Sequence, residues 1–236
     1  MKMYLNGQWV DRTGVIEVLN PYDSTVVDTV PKATIEDVNS AIASAERGSS
    51  AMRGLSGYER FLILQRAAGL MTERAEDLAR TITLEEGKII AEGRAEVDRA
   101  MQTMTLSGEE AKRLYGETIP LDGASNWSGQ LGFTLRVPCG VVAAISPFNF
   151  PLNLVCHKVG PALAAGNSVI IKPASDTPLV ALKLTEILLE AGVPPEAIQC
   201  ITGSGGSIGD ALVSDTRVRK VTFTGSKDVG EHICKT

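Results

Sequence analysis

No apolar run in this sequence approaches the length of a bilayer span. Its opening, Met1-Lys2-Met3-Tyr4-Leu5-Asn6-Gly7, has no hydrophobic signal core. These two absences give the expectation of a cytoplasmic protein with no membrane partner. Positive charge is also short: 23 Lys and Arg stand against 28 Asp and Glu, a formal net charge of -5. A surface of that sign repels phosphate backbones, which argues against a nucleic-acid partner. Cysteine is scarce. Cys139, Cys156, Cys200 and Cys234 are spaced for neither a zinc knuckle nor a Cys-x-x-Cys pair. Each lies in or beside an apolar stretch and reads as a reduced core thiol. The two histidines, His157 and His232, are too isolated for a metal site, so no metal is expected. What remains is ordinary for a globular protein, with 44% apolar and 22% charged residues over 236 positions. That is enough to bury a core without disulfides or metals.

Three regions follow from the patterning. Residues 1–114 begin with short extended stretches at Trp9-Val10, Val15 to Val18 and Thr25 to Val27, separated by Asn20-Pro21 and Asp23. From Thr34 the period becomes helical. One helix carries Val38, Ile42 and Ala45, a second runs from Tyr58 to about Thr72, and a third from Ala75 to Gly87. A fourth runs from Ile89 through Lys112, with Val97, Met101, Met104 and Leu106 as its apolar side. Residues 115–137 are rich in turn residues around two extended stretches, Glu117 to Leu121 and Phe133 to Val137, and read as a long hairpin. Residues 138–236 alternate strand and helix. The strands are expected at 140–145, 168–172, 198–202 and 221–224, and the helices near 151–164, 178–191, 206–214 and from Ser226. Short continuous apolar strands joined by helices imply an α/β doubly wound parallel sheet, Rossmann-like, beside an N-terminal helical segment. Ligands bind such sheets in the turns that follow the strands.

The first turn is Ser146-Pro147-Phe148-Asn149-Phe150-Pro151. Two prolines hold one amide side chain, which could donate to a developing oxyanion; taken alone, the turn more simply caps the next helix. The second, Lys172-Pro173-Ala174-Ser175-Asp176-Thr177-Pro178, puts a cation at a strand tip, either to meet ribose or phosphate or to snorkel to solvent. The third contains Gly203, Gly205 and Gly209 as Gly-x-Gly-x-x-x-Gly, one residue longer than the dinucleotide fingerprint. The fourth, Phe223-Thr224-Gly225-Ser226, opens a helix whose start suits a phosphate or is merely capped by Ser226. Together they describe a crevice with an amide, a cation and two Gly-rich helix starts.

With these turns in place, the sequence resembles the aldehyde dehydrogenase superfamily along nearly its whole length. The resemblance rests on Pro147 to Pro151, on Gly160-Pro161-Ala162-Leu163-Ala164-Ala165-Gly166-Asn167, on Lys172-Pro173, on Thr177-Pro178 and on Phe223 to Ser226. It implies oxidation of an aldehyde to a carboxylic acid with NADP or NAD as cofactor. Asn149 matches the oxyanion-stabilising asparagine and Lys172 the ribose-contacting lysine. Gly205, Gly206 and Gly209 match the loop and helix beside the adenine. Gly225 and Ser226 match the pyrophosphate turn, and Val229 an apolar contact near the adenine. Ser146, Pro147, Phe148, Ala174, Ser175, Phe223 and Thr224 complete the expected cofactor set. The hairpin at 117–137 matches the element through which family members form homo-oligomers.

Two departures matter. Many NAD-using members carry a glutamate three residues after the lysine, where it accepts from the ribose 2′-OH. Ser175 stands here instead, which leaves room for a 2′-phosphate and makes NADP the expected cofactor. The family's cysteine nucleophile and glutamate base fall beyond Gly230, and no cysteine of this chain takes the role. The expectation is a cofactor-binding portion that lacks the catalytic domain and is inactive alone. A non-catalytic nucleotide-binding module and an assembly module are the rival readings. A coding sequence continuing through Glu-Leu-Gly-Gly and a Gly-x-Cys segment would select the first.

Overall fold

The computed structural model describes all 236 residues. Thr34 caps helix α1 (Ile35–Gly54) through a reciprocal box: its hydroxyl accepts from the Asp37 N–H, and the Asp37 carboxylate accepts from the Thr34 N–H. Ser56 and Glu59 repeat the arrangement at α2 (Gly57–Glu73). Helix α3 (Ala75–Glu86) stops at Gly87, whose φ of 88° is the left-handed cap glycine adopts without strain. Helix α4 (Ile90–Ala111) buries a stripe of mostly small residues that includes Gly93, Val97, Ala100, Met104 and Gly108. Leu106, expected on that side, is 62% exposed. It lies nine residues from Val97, half a turn out of phase at about 100° per residue, and so faces away.

Four short strands precede α1: β1 (Met3–Leu5), β2 (Gln8–Val10), β3 (Val15–Leu19) and β4 (Val26–Pro31). Strand β1 is not among the expected extended stretches, because three consecutive apolar residues show no alternation to read. The hairpin at 115–137 is shorter in its ladder than expected. Only β5 (Thr118–Ile119) and β6 (Gly132–Phe133) pair. The stretches beyond them meet no sheet, and Leu135 and Val137 stand about three-quarters exposed.

Beyond the hairpin the chain is doubly wound as expected: β7 (Val141–Ile145), α5 (Asn153–Ala164), β8 (Ser168–Lys172), α6 (Leu179–Ala191), β9 (Ile198–Cys200), α7 (Gly205–Val213), β10 (Val218–Phe223) and α8 (Lys227–Lys235). The sheet order is β10-β7-β8-β9-β1-β2. The first four strands are parallel, and β1 and β2 extend the sheet antiparallel beyond β9. Side chains alternate across the sheet. Ala144 and Ile171 face α5 and α6, with α2 to α4 outside them, while Ala143, Ile145 and Ile170 face α1 and α7. The chain moves from β7 outward to β9, then returns over the other face to place β10 beside β7. The direction of winding reverses at β7, which is where a doubly wound sheet opens a crevice.

Helices α5 and α6 begin without side-chain caps of their own. Two buried glutamates from the helical layer supply them. Glu96 of α4 accepts from the Leu152 and Asn153 N–H groups at 2.9 and 3.1 Å. Glu85 of α3 accepts from those of Leu179 and Val180 at 2.6 and 3.0 Å. The helical layer thereby fixes the starts of the two helices that follow the first and second turns.

Candidate functional site

A cleft of about 630 Å³ opens at the carboxyl ends of β7, β8 and β10. The turn after β7 contributes Ser146, Pro147 and Phe148 to its wall, and the turn after β8 contributes Lys172 and Ala174. Gly205, Gly206 and Gly209 of α7 form another wall. Phe223, Thr224, Gly225 and Ser226 after β10, with Val229 of α8, close the far side. The turns are tied to the sheet, since Ser146 N–H donates to the Lys172 carbonyl and Thr224 N–H to that of Ile145, each at 3.2 Å. Thirteen of the fifteen expected site residues thus line one cleft.

The remaining two sit beside it. Asn149 is exposed, one residue past Phe148. Ser175 is half-buried, and its hydroxyl donates to the Gly203 carbonyl at 3.2 Å, linking the second turn to the third. Ser226 caps α8 by accepting from the Val229 N–H at 3.4 Å.

The cleft has features that packing alone does not require. A Cβ at Gly205, Gly206 or Gly209 would meet no protein atom within 4 Å. Glycine in a helix costs about 1 kcal/mol relative to alanine, so three glycines here weaken α7 with no steric need from the protein itself. They leave its backbone open to close approach by a ligand. The Ser146 hydroxyl is buried in the wall with no hydrogen-bond partner in the protein. Lys172 is buried, and its Nζ donates to the Pro173 carbonyl at 3.1 Å. Desolvation lowers its pKa from the ordinary lysine value, since burial penalises the charged form. An anion arriving there would restore the lost solvation. An open helix start, an unpaired hydroxyl and a desolvated cation fit the sugar and phosphate groups of a dinucleotide.

The structure adds residues that the sequence reading passed over. Asp210 and Val213 line the cleft from α7, and His232 and Ile233 from α8. Helical spacing was the available signal: Gly206, Gly209, Asp210 and Val213 share a face at i, i+3, i+4 and i+7, as do Val229, His232 and Ile233. His232 Nε2 lies 2.8 Å from Asp210 Oδ1, joining the two helices at the rim. Lys158 of α5 was also missed. It is buried, donates to Thr224 Oγ1 at 2.6 Å, and has its pKa lowered by desolvation.

The cysteines do not all fit the expected core role. Cys156 and Cys200 are buried, with burial raising both thiols, that of Cys200 to about 12. Cys139 and Cys234 are exposed. Cys139 precedes the first residue of β7, where the sheet has not yet covered the chain, and α8 buries no residue at all. None of the four lines the cleft. No helix is long and apolar enough to cross a membrane.

Fold and cleft together define a doubly wound α/β protein with a ligand crevice at its switch point. Comparison with known proteins is more specific: residues 9–236 match the aldehyde dehydrogenase family. The chain belongs to that family, a family of oxidoreductases. It is 48% identical over 231 residues to a 3-sulfolactaldehyde dehydrogenase of Priestia aryabhattai, covering 98% of this chain and 48% of that protein. It is 41% identical over 231 residues to an NADP(+) succinate-semialdehyde dehydrogenase of Escherichia coli K12, covering 97% and 47%. The crystal structure of an NADP-dependent glyceraldehyde-3-phosphate dehydrogenase from Bacillus halodurans C-125, complexed with NADP, matches with a TM-score of 0.95 at 37% identity, over 99% of this chain and 50% of that one. The chain spans about half the length of the relatives it matches.

Proposed function

We propose that this chain is the cofactor-binding half of an aldehyde-oxidising enzyme and that it binds NADP in preference to NAD. The carrying observation is the cleft itself, with open glycines on one wall and a buried, desolvated lysine on another. Lys172 would hold the adenosine ribose and its 2′ substituent, α7 would receive the adenine side, and Gly225 with Ser226 the pyrophosphate. When bound, the dinucleotide supplies the oxidant. Asn149 would donate its carboxamide N–H to the oxygen that gains charge as a thiolate adds to the aldehyde carbonyl. On this reading the thiol and the general base belong to the other half of the enzyme, and the isolated 236 residues do not oxidise aldehydes. The two named relatives act on aldehydes that also carry an acid group, so acid-bearing aldehydes are the first substrates to assay.

The NADP preference rests on position 175. Ser175 is turned toward the Gly203 carbonyl, and no carboxylate takes its place beside Lys172. A charge-assisted contact between the lysine and a 2′-phosphate is worth about 1.5–3 kcal/mol. Calorimetric titration with both cofactors is the test. NADP should bind at least as tightly as NAD, Ser175→Glu should shift the preference toward NAD, and Lys172→Ala should weaken NADP more than NAD. Tight NAD binding with no NADP binding would overturn the assignment and point to Asp176, which is exposed next to Ser175.

The same reading gives the 115–137 segment a role in assembly. Leu131, Phe133, Leu135 and Val137 are all at least 60% exposed, an apolar edge suited to a second copy of the chain.

A further inference from the structure

Lys88 lies in the loop between α3 and α4, with its side chain only 13% exposed. Its Nζ donates to Glu96 Oε2 at 2.8 Å and to the Asn149 carbonyl at 2.5 Å, and it sits 3.9 Å from the centre of the Phe150 ring. Glu96, whose side chain has no exposure, holds the Leu152 and Asn153 N–H groups with its other oxygen. One ion pair from the helical layer therefore grips the first turn at 149 and again at 152–153.

Stability alone does not account for this arrangement. A buried ion pair is often no better than apolar residues of the same volume, because both charges lose their hydration. What it adds is direction. A carbonyl and two N–H groups on either side of Phe150 are held to fixed points, and turning the Asn149 carbonyl away breaks its contact with Lys88. We propose that Lys88 and Glu96 are positioning residues that set the orientation of the Asn149 carboxamide, Lys88 from the carbonyl side and Glu96 from the helix side. This rests on the oxyanion role given to Asn149 above.

The test is a mutant cycle in the complete enzyme, with kcat, aldehyde KM and cofactor Kd measured for each variant. Lys88→Met keeps an apolar side chain of similar length and removes both the grip on Asn149 and the cation over Phe150. Glu96→Gln keeps an acceptor for the α5 start and loses the charge facing Lys88. Each should lower kcat by about 10- to 100-fold, the scale of a misplaced catalytic group, with KM and cofactor Kd within about 3-fold. Lys88→Arg should restore much of the loss. The deciding variant is Lys88→Met combined with Asn149→Ala. If Lys88 acts through Asn149, the double variant is no slower than Asn149→Ala alone. Multiplying losses would overturn the proposal, as would a Lys88→Met enzyme with unchanged kcat beside a crippled Asn149→Ala enzyme. If Asn149→Ala itself keeps full kcat, the oxyanion reading fails first and the positioning role falls with it. Variants that lose secondary structure are replaced by amide exchange on the 236-residue chain carrying Lys88→Arg and Glu96→Gln. Faster exchange at 149–153 in Glu96→Gln only supports the clamp, and equal exchange in both overturns it.

Discussion

Glu85 offers a direct check on how the helical layer supports the sheet. Its carboxyl is buried at the start of α6, accepts two backbone N–H groups, and has Glu96 as a like-charged neighbour. Burial outweighs the hydrogen bonds and raises its pKa from 4.5 to about 8. The folded protein therefore holds a proton that the unfolded chain releases above its ordinary carboxyl pKa. The stabilisation is complete below about pH 4.5, declines as pH rises toward 8, and is gone above it. At 1.36 kcal/mol per pH unit the full window spans roughly 4–5 kcal/mol, and the interval from pH 5 to pH 8 about 3–4 kcal/mol. Glu85→Gln keeps a neutral side chain of the same shape and an acceptor for one N–H, so it should lack this slope. Urea unfolding followed by tryptophan fluorescence between pH 5 and 8.5 measures it in both proteins. The wild type should lose stability relative to the variant across that range. Parallel curves would mean that Glu85 is ionised in the folded state, with the two N–H groups and the helix start overcoming burial.

Other expectations can be checked on the same chain. Gly48→Ala would put a methyl 2.2 Å from the Glu196 carbonyl, where backbone cannot yield easily, and should cost about 3 kcal/mol in urea unfolding. Gly69→Ala, exposed within α2 and free of neighbours, should instead add about 1 kcal/mol; a loss there would count against the open space assigned to it. Thr224→Val removes the acceptor for the buried Lys158 ammonium and should destabilise by about 1–3 kcal/mol, with most of it recovered in the double variant with Lys158→Met. Leu131→Lys with Leu135→Lys should reduce self-association by light scattering, and unchanged assembly would remove the hairpin from that role.

Local signals carried most of the fold. The helix start at Thr34 and the parallel strands of the sheet were legible because caps and short apolar runs depend on near neighbours in the chain. The cleft was legible for the same reason, since each of its turns directly follows a strand. Leu106 shows where such reading slips, an apolar residue counted into a stripe that helical phase excludes. The hairpin shows another limit, because extended sequence makes no ladder where nothing lies beneath it. The clamp on the first turn was not legible at all. Lys88 and Asn149 are 61 residues apart, and Glu96 and Leu152 are 56 apart. Neither glutamate nor lysine carries a local mark saying which helix start or carbonyl it will meet.

The antiparallel strand β1 imposes an order of events on synthesis. Met3–Leu5 is fully buried, and its inner neighbour in the sheet is β9, with Tyr4 opposite Cys200. At about 5–20 residues per second, roughly 10–40 s of translation separate the two strands, so β1 must wait that long for its inner neighbour. During that interval Met-Tyr-Leu can pair only with β2, and a chaperone or the helices from α1 onward must keep its other edge from pairing elsewhere. A shortened chain missing those residues would complete its helical layer and its parallel strands, yet present the edge of β9 to other molecules. Its fault would show as association between chains rather than as loss of helix.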